Sequence, residues 1–284
     1  MAKLLKGAEV AAAINERSIS RLNLLKDTGI SPTLAIVRVG EREDDIAYEN
    51  GAVKRCEKVG VEVSHIVLPD NVTQEELISE IEKLNMDHSV HGVLIFMPLP
   101  KNLDSEAVRR ALSPEKDVDG ITDGSLAGVF TGSGEGFSPC TAQACIEILD
   151  YYGIECKGKR AVVIGRSLVV GKPAAMLLIA KNATVTVCHT KTEDMPSVTR
   201  SAEILIVAAG KPKVVGHEYF SKNQTVIDVG INFMDGNMCG DVDFDAAEPL
   251  VGAISPVPGG VGTVTTSVLV NHVVEAAKRQ RATW

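Results

Sequence analysis

The apolar positions of the chain fall into short blocks that alternate between a helical and an extended period. Residues 7 to 27 place Val10, Ala13, Ile14, Ile19, Leu22 and Leu25 at steps of three and four or close to them. That spacing predicts an amphipathic helix, ended at Gly29. Thr33 to Val39, T-L-A-I-V-R-V, is a β-branched run that predicts a buried strand, and Gly40 closes it. The pattern then predicts a helix from about Asp44 to Val59, stopped by Gly60, and a strand over Val61 to Leu68. Thr73 opens a further helix, with Glu76 as its capping-box partner. Gly92 to Met97, G-V-L-I-F-M, is a third strand, closed by Pro98 and Pro100. Strand and helix in alternation predict a parallel sheet covered by helices.

A short helix follows over Asp104 to Leu112. Ser113 to Gly136 is rich in Gly, Asp, Ser and Thr and predicts a long functional loop or linker. After a helix over Thr141 to Tyr152 the α/β rhythm restarts. Strands are predicted at Ala161 to Ile164, Thr184 to Cys188, Ile204 to Ala208 and Thr225 to Val229, with helices at Ala174 to Lys181 and near Met195 to Ser201. This dense run of strands suits a nucleotide-binding unit. A last helix, Thr266 to Arg281, is expected to return to the first unit. The fold class is therefore α/β in two lobes. The first comprises residues 1–138 plus 266–284, and the second is a Rossmann-type lobe with a parallel sheet over residues 139–265.

Within the second lobe, Ala161 to Pro173 reads A-V-V-I-G-R-S-L-V-V-G-K-P. A strand, a glycine turn at Gly165 and Gly171, and a helix start marked by Pro173 make a site where backbone N–H groups and the helix dipole favour a phosphate. Arg166 and Ser167 add donors. The spacing is not G-x-G-x-x-G, so this stretch alone equally fits an ordinary strand-to-helix connection. The strand Thr184 to Cys188 is followed by His189, Thr190 and Lys191, and the nearest acid is Glu193. An NAD site usually places an acid there to hold the ribose diol. A hydroxyl and a cation, with Arg166, suit a 2′-phosphate better, so NADP is expected over NAD. Ser255 to Gly262, S-P-V-P-G-G-V-G, is a stiffened turn with bare backbone that a flat ligand can approach.

Composition narrows the partners. A net charge of −8 argues against nucleic acid or an anionic membrane surface. No apolar run reaches membrane-spanning length, and M-A-K-L-L-K-G lacks a signal-peptide core, so a cytoplasmic protein is expected. The cysteines, Cys56, Cys140, Cys145, Cys156, Cys188 and Cys239, form no C-x-x-C pair. Neither a disulfide framework nor a metal site is suggested.

Six motifs, in order, carry a resemblance that spans nearly the whole chain. They are P-E-K-D-V-D-G (Pro114 to Gly120), P-C-T (Pro139 to Thr141), G-R-S-L-V-V-G-K-P (Gly165 to Pro173), A-T-V-T-V-C-H-T-K-T (Ala183 to Thr192), V-I-D-V-G-I-N (Val226 to Asn232) and P-V-P-G-G-V-G (Pro256 to Gly262). Together they resemble the bifunctional methylenetetrahydrofolate dehydrogenase/cyclohydrolase family. The resemblance implies two lobes with a folate cleft between them, and a homodimer through the cofactor lobe. It implies hydride transfer from 5,10-methylenetetrahydrofolate to NADP or NAD, followed in most members by hydrolysis to 10-formyltetrahydrofolate. On this basis the cofactor candidates are Thr141, Gly165, Arg166, Ser167, Gly171, Thr190, Ile231 and Thr265. The substrate candidates are Tyr48, Phe96, Asp119, Pro258, Gly259 and Gly260, with Tyr48 and Asp119 also the catalytic candidates. Asp119 would read the donor edge of the pterin ring, which suits a carboxylate acceptor.

Two departures bear on the reaction. The family carries Tyr-x-x-x-Lys, but here Tyr48 is followed four residues on by Ala52. Lys54 lies six residues from Tyr48, about 240° round a helix, and should point away as a surface lysine. The family's usual glutamine neighbouring that lysine is here Phe96. Asp44, Asp45, Glu49, Ala142, Thr263 and Val264 also depart from the usual residues. Hydride transfer needs orientation, whereas hydrolysis needs a proton-handling group. The expectation is therefore a dehydrogenase with weak or absent cyclohydrolase activity. The other readings are a still-bifunctional enzyme, a drifted nucleotide-binding paralogue, and a dehydrogenase of amino acids or shikimate-like acids, which would want a cleft lysine that the chain lacks.

Overall fold

The computed structural model describes residues 1–281, and the chain divides into two compact units. One unit comprises residues 13–140 with the C-terminal residues from Thr266, and the other residues 1–12 with 141–265.

The first of these units holds a three-stranded parallel sheet. Its strands are β2 (Thr33–Val39), β3 (Glu62–Leu68) and β4 (Gly92–Ile95), in the order β3-β2-β4. The central strand β2 is almost wholly buried and β4 is wholly so, while β3, at an edge, is largely open to water. Helices α3 (Gln74–Met86) and α4 (Ser105–Ala111) cover one face, where Leu77, Ile81 and Val108 pack on Ala35, Val37 and Val39. The Thr73 capping box forms: Thr73 Oγ1 accepts from Glu76 N at 3.2 Å and Glu76 Oε2 accepts from Thr73 N at 2.9 Å. Helix α2 (Glu43–Val59) ends on left-handed Gly60 and buries Asp45, Glu49, Ala52, Cys56 and Val59.

The other unit holds a six-stranded, wholly parallel sheet. Its strands are β1 (Lys3–Leu4), β5 (Arg160–Ile164), β6 (Thr184–Cys188), β7 (Ile204–Val207), β8 (Thr225–Asp228) and β11 (Ala253–Ile254). They lie in the order β1-β11-β8-β7-β5-β6. A hairpin of β9 (Asn232–Met234) and β10 (Asn237–Cys239) is separate. The core runs through Val162, Ile164, Leu205, Val207, Val226 and Ile254. The helices are α6 (Cys140–Tyr151), α7 (Gly171–Ala180), α8 (Met195–Arg200) and α9 (Phe244–Ala247). Two long helices, α1 (Gly7–Lys26) and α10 (Val261–Arg281), each contribute residues to both units. Among the described residues, no helix is long and apolar enough to cross a membrane.

Four expectations need correction. Residues 1–12 group with the six-stranded sheet rather than with 13–138, because β1 pairs with β11, a partner about 250 residues away that no local pattern announces. Ser113 to Gly136 is not a continuous loop, for it contains helix α5 (Asp123–Thr131). Thr122 caps that helix by accepting from Ser125 N at 3.1 Å. Its glycines allow close approach, since a Cβ at Gly124 or Gly128 would collide with Pro114 or with the Glu135 carbonyl. Helix α7 starts at Gly171, two residues before Pro173, and α10 starts at Val261 rather than Thr266.

Candidate functional site

Parallel register aligns the C-terminal ends of four strands. Ile164 pairs with both Cys188 and Val207, and Val207 pairs with Asp228. The residues that follow, Gly165–Arg166, His189–Thr190, Ala208–Ala209 and Val229–Ile231, therefore line one edge of the sheet. At Gly165 the backbone has φ 121°, and a Cβ would collide with Ala208 O, so only glycine serves at this turn. The amides of Arg166, Ser167, Leu168 and Val169 have no partner among the described residues. Those of the first turn of α7 are partly occupied. Lys172 N donates to Ser167 O at 3.0 Å, and Val170 N donates to Ser167 Oγ at 3.1 Å. The unpaired N–H groups thus lie in the turn itself more than in the helix end. Arg166 and Thr190 are exposed, and their side chains have no partner among the described residues. His189, Thr190 and Lys191 form a tight turn, with Thr192 Oγ1 accepting from His189 N at 2.9 Å, and place no acid at the end of β6. Thr141 is half-buried on α6. Thr265 is buried within α10 and donates its hydroxyl proton to Val261 O at 3.2 Å, which leaves only its oxygen lone pairs for a ligand.

A cavity of about 290 Å³ lies beside the same edge, lined by Asp228 to Ile231, Met238 and Pro256 to Thr263. It brings together Ile231, which is 58 % exposed, and the Pro258–Gly260 backbone. Gly7 N donates to Gly259 O at 2.8 Å, which anchors this turn to the start of α1.

The remaining candidates meet in the other unit. Val93 N donates to Lys116 O at 2.7 Å and Val93 bridges to Asp117, so the P-E-K-D-V-D-G turn lies along β4. Asp117 is consumed by that turn, accepting from Ile121 N at 3.0 Å and Thr122 N at 2.7 Å. Asp119 is the carboxyl left for a ligand. Burial and the nearby Asp117 push its pKa up to about 7, against the opposing Cys140 thiol. Cys140 Sγ also donates to Val118 O at 3.2 Å. His272 Nδ1 lies 2.9 Å from the same carbonyl, which can only accept, so the proton is on Nδ1. Burial pulls the His272 pKa down to about 4, so the ring is neutral.

Tyr48 is 36 % exposed, and its ring packs on that of Phe96 in a T-shaped pair with centroids 5.8 Å apart and planes at 84°. Burial of its hydroxyl end, then Asp119 and Cys140, hold the phenol well above its ordinary pKa. Phe96 is 8 % exposed and Ala52 fully buried. Lys54 is exposed, as its helical angle predicts. Glu49, one residue from Tyr48, accepts from Arg38 Nε at 2.8 Å and contacts His65 Nδ1 at 2.6 Å, and Arg38 also donates to Gly40 O. This cluster ties α2 to β2 and β3. The sequence marked Glu49 only as a departure, because its partners lie on separate elements.

Two family models match the chain: tetrahydrofolate dehydrogenase/cyclohydrolase, catalytic domain, over residues 5–119, and tetrahydrofolate dehydrogenase/cyclohydrolase, NAD(P)-binding domain, over residues 139–281. The chain belongs to the tetrahydrofolate dehydrogenase/cyclohydrolase family. Within the family it is 48% identical over 281 residues to the bifunctional protein FolD of Alkaliphilus oremlandii, covering 99% of each chain. It is 50% identical over 281 residues to that of Carboxydothermus hydrogenoformans, covering 98% of each. The solved bifunctional enzyme FolD of Campylobacter jejuni superposes with a TM-score of 0.96 at 37% identity, over 99% of this chain and 100% of that one. The Trypanosoma brucei FolD structure, complexed with NADP cofactor and inhibitor, gives a TM-score of 0.91 at 35% identity, over 99% of this chain and 98% of that one. A shikimate dehydrogenase from Aquifex aeolicus shares the fold alone, at 11% identity and a TM-score of 0.50.

Proposed function

We propose that this chain oxidises 5,10-methylenetetrahydrofolate to 5,10-methenyltetrahydrofolate with NADP as hydride acceptor. The observation that carries the reading is the aligned strand edge. A glycine-only turn at Gly165, free amides, Arg166 and Thr190 lie on the same row as the Ile231 cavity. These residues fit a dinucleotide, and the lack of an acid after β6, with Arg166 and Lys191 near, favours the 2′-phosphate form over NAD. When bound, the nicotinamide supplies the hydride-accepting carbon. Gly165 to Val169 and Arg166 bind phosphate. Ile231 and the Pro258–Gly260 backbone offer a flat, dry face that orients a ring and excludes water. Tyr48 offers a ring face to the substrate. Asp119 offers carboxylate oxygens to the N–H donors of a pterin edge.

Hydrolysis of the product is the weaker half of the reading. Ala52 has no proton to move, Phe96 packs an apolar ring on Tyr48, and Lys54 is on the exposed face of α2. The relatives named bifunctional favour a retained second activity, and the same assay decides between them. The free cysteines fit a reducing cytoplasm. A homodimer through the dinucleotide unit is supported by β6, an uncovered edge strand with Val187 exposed.

The test is to supply methylenetetrahydrofolate with NADP, then NAD, and follow the reduced nicotinamide. Reduction with NADP preferred is the expected result. Nucleotide binding without reduction by either would refute it and favour a drifted paralogue. Enzymatic loss of methenyltetrahydrofolate above the uncatalysed rate would restore the bifunctional reading.

A further inference from the structure

Behind the Ile231 cavity, two buried carboxylates gather backbone from three loops. Asp241, which follows the β9–β10 hairpin, is fully buried. Its Oδ2 accepts from Ala209 N at 2.6 Å and Gly210 N at 2.8 Å, in the loop after β7. Its Oδ1 accepts from Lys211 N at 2.9 Å and from Asn232 Nδ2 at 2.9 Å. Asp241 N in turn donates to Asp228 Oδ1 at 3.1 Å, which also accepts from Gly230 N at 3.0 Å, while Asp228 Oδ2 accepts from Val242 N at 3.1 Å. The packing leaves no slack, because a Cβ at Gly240 would collide with Asp228 Oδ2 and one at Gly230 with Asp241 Oδ1.

Ile231 sits between two pinned residues. Gly230 is held by Asp228, and Asn232 is held by Asp241. A hydrophobic side chain does not stay 58 % exposed at a cavity wall by its own preference. Its backbone is held there from both sides. The same Asp241 carboxylate fixes the Ala209–Lys211 loop on the next strand end. The geometry points to Asp241 as a positioning residue for hydride transfer, which sets the wall against which the nicotinamide ring is oriented. It touches no reactant, and it rests on the proposed reading of the Ile231 cavity as the nicotinamide site.

The chemistry at this point requires a carboxylate. Four donors converge on two oxygens. An amide keeps one acceptor and turns an NH₂ towards the other pair of donors. Asp241→Asn therefore leaves either the Ala209–Gly210 pair or the Lys211–Asn232 pair facing a donor. Asn232→Asp in the same chain returns an acceptor to that NH₂.

The experiment compares wild type, Asp241→Asn, the double variant Asp241→Asn/Asn232→Asp and the milder Asn232→Ala. Three readouts are taken: amide hydrogen exchange of residues 209–211 without ligand, the emission of bound NADPH as a probe of the nicotinamide environment, and kcat with KM for each substrate. For Asp241→Asn the expected results are exchange at 209–211 at least ten-fold faster, weaker bound-NADPH emission, and kcat lower by about 10- to 100-fold, the scale of a 1 Å misplacement. NADP affinity stays within about three-fold, because the phosphate turn at Gly165 is untouched, and the double variant recovers most of kcat. Faster exchange with unchanged emission and kcat would make Asp241 structural only and overturn the inference. If Asp241→Asn does not fold, Asn232→Ala decides: a smaller loss of emission and kcat supports the inference, and no change overturns it. A wild type inactive on methylenetetrahydrofolate would refute the proposed reaction, while the emission and exchange readouts still judge Asp241.

Discussion

Installing the missing proton-handling pair tests the functional reading most directly. The perturbation is Ala52→Lys with Phe96→Gln. Ala52 is fully buried one helical turn beyond Tyr48, so a lysine there begins in a low-dielectric wall and its ammonium pKa falls towards the range of a usable base. Phe96 is buried against Tyr48, and replacing its ring with an amide opens space beside Tyr48 and supplies a polar group there. General acid–base groups contribute about 10²–10⁴-fold, so methenyltetrahydrofolate hydrolysis should rise by about that factor over wild type. Losing the Phe96 burial and adding a buried charge should together cost about 3 kcal/mol, or about 10 °C in melting temperature, and the assay is run well below that melting point. Ala52→Lys alone should give much less hydrolysis, because the amide that would tune the lysine is missing, and the two changes should be non-additive. The assay follows methenyltetrahydrofolate disappearance against the uncatalysed rate, with methylenetetrahydrofolate oxidation as an internal control. A wild type that already hydrolyses robustly would refute the reasoning. So would a double variant that keeps its dehydrogenase activity and gains no hydrolysis.

Other consequences are separately measurable. Arg166→Gln should raise KM for NADP by about 10- to 100-fold, the loss of one charged hydrogen bond, and leave NAD within about three-fold; equal effects on both would remove Arg166 from the 2′-phosphate. Glu49→Ala leaves the nearly buried Arg38 with the Gly40 carbonyl but no countercharge and should cost about 3–5 kcal/mol in denaturant unfolding, with Arg38→Leu restoring much of it; a loss under about 1 kcal/mol would show the cluster to be solvated. Asp119 carries a raised pKa, so between the unfolded carboxyl value and about 7 the folded state holds the extra proton and stability falls as pH rises. Asp119→Asn removes that loss: its melting temperature should match wild type near pH 4 and exceed it at pH 8. The depressed His272 acts with the opposite sign, stability falling as pH drops from the ordinary histidine value towards about 4, and cancels in the comparison. A difference independent of pH would place Asp119 in a solvated environment.

The strands and helices that position the site were legible because each is written locally. β2, β4, β5 and β7 are short β-branched runs bounded by Gly or Pro, or by a change to polar sequence, and a buried parallel strand has that composition wherever it occurs. The glycine turn at Gly165, the Thr73 box and the outward angle of Lys54 also follow from spacing alone. The motifs that follow β5, β6, β8 and β11 put their candidate residues at strand ends for the same reason, since each is contiguous with its strand. What the tertiary structure decided is everything that depends on a distant partner. Residues 1–12 joined the six-stranded sheet through β11, and α5 formed in a glycine-rich segment because Pro114 and Glu135 close on its glycines. Ser167 O and Oγ hold the first amides of α7 and move the free donors into the turn. The sequence marks Glu49 on its helix only as a departure, and nothing local singles out Asp241 in its loop. Burial makes a carboxylate answerable to donors from other elements, and only the fold determines which donors those are.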